Sequence, residues 1–255
     1  MRRTFVGLLL ALCSFAPLAT AQIVNVLPFA RSVEEGFRAE IRFGVDWREG
    51  NTAVRLLRLS GNGSYRTDAS LVLFLARGEI GEKRGERFAS AVFEHVRYRH
   101  RLAPHWQVEG FVQHEYDEFR RLSLRALVGT GLRFEWRFGE RGLVAVGTAA
   151  MAELERLRDG EPEDAGGTAF APRSSSYLSV EVALDERVEL KETLFVQPRF
   201  DDPRDVRILN ETTLSVRVRR RVTLPTSFTV RHDSEPPEGV KSTDTALRTS
   251  FAIAF

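Results

Sequence analysis

Apolar and polar residues alternate with a period of two along most of the chain after residue 36. Between residues 37 and 47 the odd-numbered positions are apolar. The even-numbered positions between them carry Arg38, Glu40, Arg42, Gly44 and Asp46. The same alternation recurs within 121–138, 205–219 and 242–255. Because successive side chains of a β-strand point to opposite faces, this period predicts strands with one apolar and one polar face.

About twelve runs of this kind follow one another, and their length distinguishes two classes of β-protein. The predicted strands are 37–47, 53–65, 69–79, 87–101, 105–117, 121–138, 142–154, 174–184, 187–199, 205–219, 222–233 and 242–255. Strands of soluble proteins average about 5 to 6 residues, whereas a membrane-spanning strand needs about 9 to 11. The sequence therefore predicts an all-β fold, a transmembrane antiparallel β-barrel of about 12 strands of the outer-membrane type.

The predicted connections alternate between short and long. Short turns are predicted at 66–68, 102–104, 139–141, 185–186 and 220–221, and longer loops at 78–86, 157–173 and 234–241. The connection 118–120 is a short exception among the long ones. Short turns on one rim and longer loops on the other are typical of an outer-membrane barrel whose two termini lie in the periplasm.

The two ends of the chain carry export and assembly signals. Arg2 and Arg3 precede a short apolar run, and Ala19-Thr20-Ala21 has the small-residue pattern of a signal-peptidase site. A retained anchor helix is disfavoured because the apolar run is short and ends at Pro17. Residues 1–21 are thus predicted to be a signal peptide, 22–36 a short periplasmic segment and 37–255 the barrel. The last strand ends on Phe255, which predicts recognition by the barrel-assembly machinery of the outer membrane.

The composition fits this interpretation, because only the outward-facing half of each strand must be apolar in a membrane barrel. The chain is 43% hydrophobic and 28% charged, and no later run has the roughly 18 apolar residues that a spanning helix needs. The one cysteine, Cys13, lies in the predicted signal peptide, so the mature chain has neither a disulfide nor a thiol nucleophile. The 37 Lys+Arg against 35 Asp+Glu include Arg2 and Arg3, so the mature chain carries 35 of each sign. Such a balance argues against a nucleic-acid partner and leaves outer-membrane lipids as the expected surroundings.

The inward face of the predicted barrel carries sorted charges on its fourth, fifth and sixth strands. This candidate charge ladder consists of Arg97, Arg99, Arg101, Glu109, Glu115, Asp117, Arg121, Arg125 and Arg133. Because guanidinium and carboxylate groups pair across strands, the ladder is interpreted as ion pairs that fill part of the interior. The alternative is a polar conduit with a charged lining. No catalytic residue, metal site or cofactor is predicted.

A lipid hydrolase is the alternative from a different functional class. His232 and Ser234 share one face at the outer end of a strand, and Asn210 on the neighbouring strand has the parity to orient a histidine. Against this, Ser234 opens the turn Asp233-Ser234-Glu235-Pro236-Pro237, where Asp-Ser is ordinary turn chemistry. The sequence therefore favours a structural role for this serine.

Three stretches resemble the family of YdiY-like salt-induced outer-membrane proteins, which has no established biochemical activity. The first runs from Gly36-Phe37 through Arg48-Glu49-Gly50-Asn51-Thr52. The second is Phe111-Val112-Gln113-His114-Glu115-Tyr116-Asp117-Glu118-Phe119-Arg120-Arg121-Leu122, which continues to Arg125 and Gly129-Thr130-Gly131. The third is Asp233-Ser234-Glu235-Pro236-Pro237-Glu238-Gly239-Val240-Lys241-Ser242-Thr243-Asp244-Thr245. The resemblance implies an outer-membrane barrel and assigns the third stretch to the last loop and the final strand. The function expected first is an envelope protein, structural or weakly pore-forming and linked to osmotic stress by the resemblance, and a small-solute channel is the alternative. The oligomeric state is left open.

Overall fold

Twelve β-strands pair in chain order, each antiparallel to the next, in one sheet. The computed structural model describes residues 35–50, 53–139, 141–159, 167–220, 222–249 and 252–253. The predicted signal peptide, the segment 22–34 and Phe255 lie outside these residues. Within them, no helix is long and apolar enough to cross a membrane. The predicted all-β, twelve-stranded antiparallel fold is confirmed.

The strand bounds agree with the alternating runs to within a few residues at most ends. The strands are β1 (Gly36–Arg48), β2 (Val54–Arg66), β3 (Ser70–Lys83), β4 (Glu86–Arg101), β5 (Trp106–Asp117), β6 (Leu122–Phe138), β7 (Gly142–Leu157), β8 (Thr168–Ala183), β9 (Val188–Pro198), β10 (Val206–Arg219), β11 (Val222–Asp233) and β12 (Thr243–Thr249). A two-residue strand, β13 (Ala252–Ile253), also pairs with β11, and a single 3-10 turn (Glu118–Arg120) joins β5 to β6.

Two predicted loops are shorter than expected because strands extend into them. The predicted loop 78–86 is wrong: β3 continues to Lys83 and only Arg84 and Gly85 connect it to β4. Both residues have positive φ angles, 54° and 85°, which is the twist that a two-residue hairpin needs. A register shift between Gly81 and Glu82 lets β3 and β4 continue to pair up to this turn. Likewise β8 begins at Thr168 rather than at residue 174.

The two rims of the sheet still differ in the length of their connections. On the rim where β1 begins and β12 ends, hereafter the turn rim, the connections between strands have two to four residues. On the opposite rim, the loop rim, they range from two to ten residues, and the longest are 158–167, 199–205 and 234–242. The predicted asymmetry is therefore present, with the turn at Arg84 as an additional exception.

In most strands, alternate residues face a packed interior or an exposed apolar surface. In β4, for example, Phe93, His95 and Arg97 are buried, whereas Val92 and Val96 between them are exposed. Large exposed apolar side chains occur on all twelve strands, from Phe37 in β1 to Leu247 in β12. A continuous apolar outer surface of this kind is what a hydrocarbon environment requires.

The two edge strands are paired on one side only. Within the described residues, β1 pairs with β2 and β12 pairs with β11. Both β1 and β12 are exposed over most of their length. The packed part of the interior therefore lies along β3 to β11, and this is where the candidate site is found.

Candidate functional site

Four strands contribute to a buried cluster of charges around Glu109, hereafter the central network. The Glu109 Oε2 atom accepts hydrogen bonds from Arg97 Nη1 at 3.1 Å and from the Tyr177 hydroxyl at 2.8 Å. The Arg99 guanidinium forms an ion pair with the other carboxylate oxygen. Arg133 donates from Nη1 to the Tyr177 hydroxyl at 2.9 Å. Charged groups so deeply buried persist only when they are paired, and here one carboxylate satisfies several donors.

Tyr177 carries the central network across the interior. It lies on β8, whereas Glu109 lies on β5, and two strands separate them in the sheet. Its ring packs 5.1 Å from the ring of Phe195. Gly147 on the neighbouring strand makes the room, because a Cβ atom there would lie 2.2 Å from the tyrosine Cε1 atom. The ring of Tyr177 therefore packs against Gly147, while its hydroxyl donates to Glu109.

A second cluster, hereafter the loop-rim network, is organised by Arg207. Its guanidinium donates to Glu153, to Glu155 Oε2 at 2.9 Å and to Asp233 Oδ2 at 3.0 Å. Glu153 and Glu155 lie on β7, and Arg207 lies on β10, with two strands between them. This arginine therefore ties two parts of the interior wall together across the space between them.

Arg173 extends the loop-rim network to a connection between strands. It donates from Nη2 to both carboxylate oxygens of Asp205, at 2.9 and 2.8 Å, and lies 3.6 Å from Glu153. Asp205 belongs to the connection 199–205, so this buried pair anchors a loop to the barrel wall. Both side chains are at least 95% buried, and the carboxylate is fully paired. A guanidinium that serves two acids has the planar fork that this geometry needs.

Six of the nine ladder residues predicted from the sequence lie in these buried clusters. Arg97, Arg99, Glu109 and Arg133 belong to the central network. Arg125 pairs with Glu155 in the loop-rim network and lies 3.7 Å from Glu115. Glu115 also lies 3.7 Å from Arg120.

The remaining three predicted residues have other positions. Arg101 is exposed at the turn rim, where it donates to the backbone carbonyl of Asp68. Asp117 is buried, but its Oδ1 atom accepts from the backbone nitrogens of Phe119 and Arg120 and so caps the 3-10 turn. Arg121 has a left-handed backbone and donates to a carbonyl in the loop 234–242. These three side chains stabilise connections between strands rather than the interior.

Several central residues were missed at the sequence level. They are Glu153, Glu155, Arg173, Tyr177, Asp205, Arg207 and Asp233. Those on strands have inward parity, so alternation alone marks them as interior. Their partners lie on strands two or more positions away, and a pairing argument between neighbouring strands does not reach that far.

Apolar side chains fill interior space between and beside the networks. Leu71, Leu73, Leu75 and Phe93 form one buried cluster on β3 and β4. Tyr177, Phe195 and Leu209 form a second. The Arg97 guanidinium lies 5.0 Å from the centre of the Phe111 ring, within the range of a cation–π contact. Apolar side chains therefore pack beside the charged networks in the interior from β3 to β10.

A cavity of about 210 Å³ remains at the turn rim, next to the central network. Five arginines line it: Arg66, Arg99, Arg101, Arg133 and Arg137. Three acids also line it: Asp68, Glu135 and Glu181. The formal charge of the lining is therefore 5 − 3, or +2.

The residues of the hydrolase alternative are engaged elsewhere. The Ser234 hydroxyl donates to the backbone carbonyl of Arg204 at 3.0 Å and accepts from the backbone nitrogen of Val206 at 2.8 Å. His232 Nδ1 lies 2.9 Å from the hydroxyl of Thr243, and Asn210 donates to Glu192. This arrangement ties two loop-rim connections together and assembles no nucleophile. Among the described residues, no group of His, Asp or Glu side chains could hold a metal ion.

An exposed ion triad stabilises the loop rim. Glu118 in the 3-10 turn accepts from Arg158 at 2.9 Å and from Arg87 at 3.1 Å, which joins the connections on either side. The hydrogen bond from Arg158, followed by that from Arg87, lowers the pKa of the Glu118 carboxyl below its ordinary value. The carboxylate therefore stays charged over the whole physiological pH range.

Comparisons with known proteins find a porin of similar fold and one sequence family. A solved structure of the NanC porin in a rhombohedral crystal form is 12% identical with a TM-score of 0.50, and the match covers 79% of this chain and 94% of that chain. A chain from a study of the in-meso crystallization of membrane proteins is 12% identical with a TM-score of 0.38, covering 86% and 83%. No curated protein matches.

The family likeness extends over most of the sequence. Residues 41–255 match the family described as "Protein of unknown function, DUF481". This range contains eleven complete strands and both interior networks. The chain belongs to the DUF481 family.

Proposed function

We propose that this protein is an outer-membrane β-barrel whose interior is crossed by side chains, so that it acts as a structural, at most weakly conducting, component of the cell envelope. The observation that carries the proposal is that hydrogen bonds connect strands on different parts of the wall. Tyr177 reaches Glu109 across two intervening strands, and Arg207 reaches Glu153 and Glu155 across another two.

The apolar outer surface supports the location in a membrane. Exposed Phe37, Ile41 and Leu247, with 70% or more of their surface accessible, would be costly in water at about 25 cal/mol per Å². In hydrocarbon the same residues are favourable, and outer-membrane lipids are then their partners. Trp106 at the start of β5 and Trp136 near the end of β6 lie where the membrane interface would be.

Closure of the barrel between β1 and β12 is part of the proposal. In a membrane an unpaired strand edge leaves backbone groups without partners, so the two edges are expected to pair. If β1 and β12 pair, the inward-facing residue 40 of β1 would lie near one of the inward-facing residues 244, 246 or 248 of β12. Because the mature chain is predicted to hold no cysteine, Glu40→Cys can be combined with a cysteine at each of these three positions. A disulfide at one register supports closure, and none at any register contradicts it.

Single-channel recording in planar bilayers tests the blocked interior. Wild-type protein is expected to give little or no current, whereas Tyr177→Ala, which removes the ring across the interior, should conduct more. The matched control is Tyr65→Ala, because Tyr65 is exposed on the outer surface and its loss leaves the interior unchanged. Wild-type steps as large as those of the Tyr177→Ala variant would contradict a crossed interior.

A small-solute channel is the second candidate, and the turn-rim cavity favours it. The cavity is lined by charged side chains and lies directly beside the central network. If that network opens, the cavity becomes one mouth of a polar path. Large wild-type steps in the same recordings would select this function instead.

The link to salt stress remains a proposal supported by the resemblance to salt-induced proteins. Buried ion pairs are screened much less by salt than exposed pairs. An interior that is blocked by the ion pairs of Arg207 and Glu109 would therefore stay blocked in high salt. Growth of a deletion strain at high salt, with and without the wild-type chain, tests this role. Equal growth of both strains would count against it. Recognition of the terminal strand by the assembly machinery stays a prediction, because Phe255 lies outside the described residues.

A further inference from the structure

The turn-rim cavity has the features of a binding site for a small oxyanion. Five arginines and three acids line it, so its formal charge is +2. Guanidinium groups stay protonated at any physiological pH, so this excess positive charge is permanent. Such an excess of positive charge attracts a counter-anion into the cavity.

Arg99 is the second, independent observation. Its side chain is 95% buried and lines the cavity. It forms an ion pair with Glu109, but its Nη2 atom has no hydrogen-bond partner among the described residues. A buried donor without a partner costs free energy unless a ligand satisfies it. Arg99 therefore brings a buried cationic donor without a partner into the lining of the cavity.

Glu135 shows how a carboxylate is held in this cavity. Its Oε2 atom accepts from Arg133 Nη2 at 2.9 Å and from Arg133 Nε at 3.3 Å. Its Oε1 atom accepts from Arg137 Nη2 at 2.9 Å. Two guanidiniums thus enclose one carboxylate in the fork arrangement that also suits phosphate. The resident side chain occupies a position that an external oxyanion could share or take.

We propose that this cavity binds a small carboxylate or phosphate group, with Arg99, Arg101 and Arg137 as ligands and Glu135 as a competing internal carboxylate. The same chemistry is available from a free solute and from a phospholipid headgroup at the inner leaflet. The inference uses the proposed function only to place the turn rim at the periplasm. Binding itself does not depend on whether the barrel conducts.

Titration calorimetry with inorganic phosphate, on folded protein in a nonionic detergent, tests the site. Glu135→Gln removes the competitor and raises the formal charge of the lining to +3, so phosphate should bind at least about tenfold more tightly. Arg137→Gln should weaken binding by about the same factor. Arg137 is 58% exposed, so this variant should still fold, and heat-modifiable gel migration verifies that it does. Arg99→Lys keeps the charge but loses the fork, and should also weaken binding.

The control is Arg87→Gln, which removes an arginine from the loop rim and leaves the cavity unchanged. Its phosphate affinity should equal that of the wild type. The gain in affinity of Glu135→Gln is the decisive result, because a purely structural role for Glu135 predicts no gain. Equal affinity in all variants, or heat that does not saturate, would overturn the proposal.

Repeating the titration with phosphatidylglycerol added to the detergent distinguishes the two sources of the anion. Displacement of phosphate by the lipid assigns the site to a headgroup, and unchanged phosphate binding assigns it to a solute. If wild-type protein conducts freely yet the Glu135→Gln gain is observed, the anion site stands and the blocked interior does not. The two proposals therefore fail separately.

Discussion

Replacing Arg207 with methionine should destabilise the barrel more than the same replacement of an exposed arginine. Arg207 is 95% buried and is the shared partner of Glu153, Glu155 and Asp233. Methionine keeps much of the volume but leaves three buried carboxylates with one cation fewer. Removing one partner of a buried ion pair costs about 3–5 kcal/mol, because the remaining charge is desolvated and unpaired. The matched control is Arg48→Met, whose pair with Asp46 is exposed and contributes about 0–1 kcal/mol.

The cost can be measured by urea unfolding of the protein in lipid vesicles, with tryptophan emission as the signal. The three tryptophans, Trp47, Trp106 and Trp136, all lie near strand ends and report on the loss of the membrane environment. A destabilisation by Arg207→Met no larger than that by Arg48→Met would refute the view that Arg207 ties the interior together.

A double-mutant cycle separates the charge effect from the loss of packing. The loop-rim network with its directly paired neighbours contains five arginines and five acids, a balance of 5 − 5, or 0. The arginines are Arg120, Arg125, Arg173, Arg199 and Arg207, and the acids are Glu115, Glu153, Glu155, Asp205 and Asp233. Arg207→Met makes the balance −1, and adding Glu153→Gln restores 0. The double variant should therefore recover part of the lost stability, with a coupling energy of about 0.5–3 kcal/mol. Additive losses would show that packing, not charge, sets the cost.

Three further predictions follow from local geometry. Gly147→Ala places a Cβ atom 2.2 Å from the Tyr177 ring and should cost about 1–3 kcal/mol in urea unfolding, whereas Gly110→Ala, 3.9 Å from its nearest neighbour, should be much milder. Asp117→Ala removes the cap of the 3-10 turn and should cost about 1 kcal/mol in the same assay, unlike Asp117→Asn, which retains an acceptor. The pKa of Glu118 is lowered, so the small stability that its ion triad contributes should be present above the ordinary carboxyl range and disappear as pH falls through the folded pKa. NMR titration of Glu118 checks this, and an ordinary pKa would show that the triad does not form in solution.

The course of the strands could be predicted from the sequence because one physical rule governs every strand. Period-two alternation identifies a strand and divides its residues between two faces, and Arg97, Arg125 and Arg133 are buried on the face that the alternation gives them. Bulges are the places where this rule fails. At the start of β6 a register shift places Leu122 in the interior, although its parity assigned it to the outer surface.

Connections were harder to predict because the same residue types serve turns and networks. Asp117 has the parity of a lumen residue and is buried, yet its oxygen caps a turn. The sequence pattern shows which face of the strand a carboxylate occupies. It does not show whether that carboxylate accepts from a nearby backbone N–H or from a guanidinium. Likewise the predicted loop 78–86 contains residues that belong to β3. The strand continues through Gly78 and Gly81 to Lys83, because glycine is tolerated within a strand at a bulge.

The partners across the interior could not be predicted for a deeper reason. Register between neighbouring strands follows from hairpin turns, and it correctly brings Arg99 opposite Glu109. The contacts of Tyr177 with Glu109, and of Arg207 with Glu153, join strands that are not neighbours. Such contacts depend on how tightly the sheet curves, which a strand-by-strand pattern does not contain. Small inward residues are the sequence signal that bears on curvature. Gly147 and the buried Ala145 lie on the inward face of β7, where they let Tyr177 and the opposite wall approach. In this chain the small inward residues of β7 lie next to the large polar aromatic Tyr177 of β8, and this combination lets one side chain reach across the interior to Glu109.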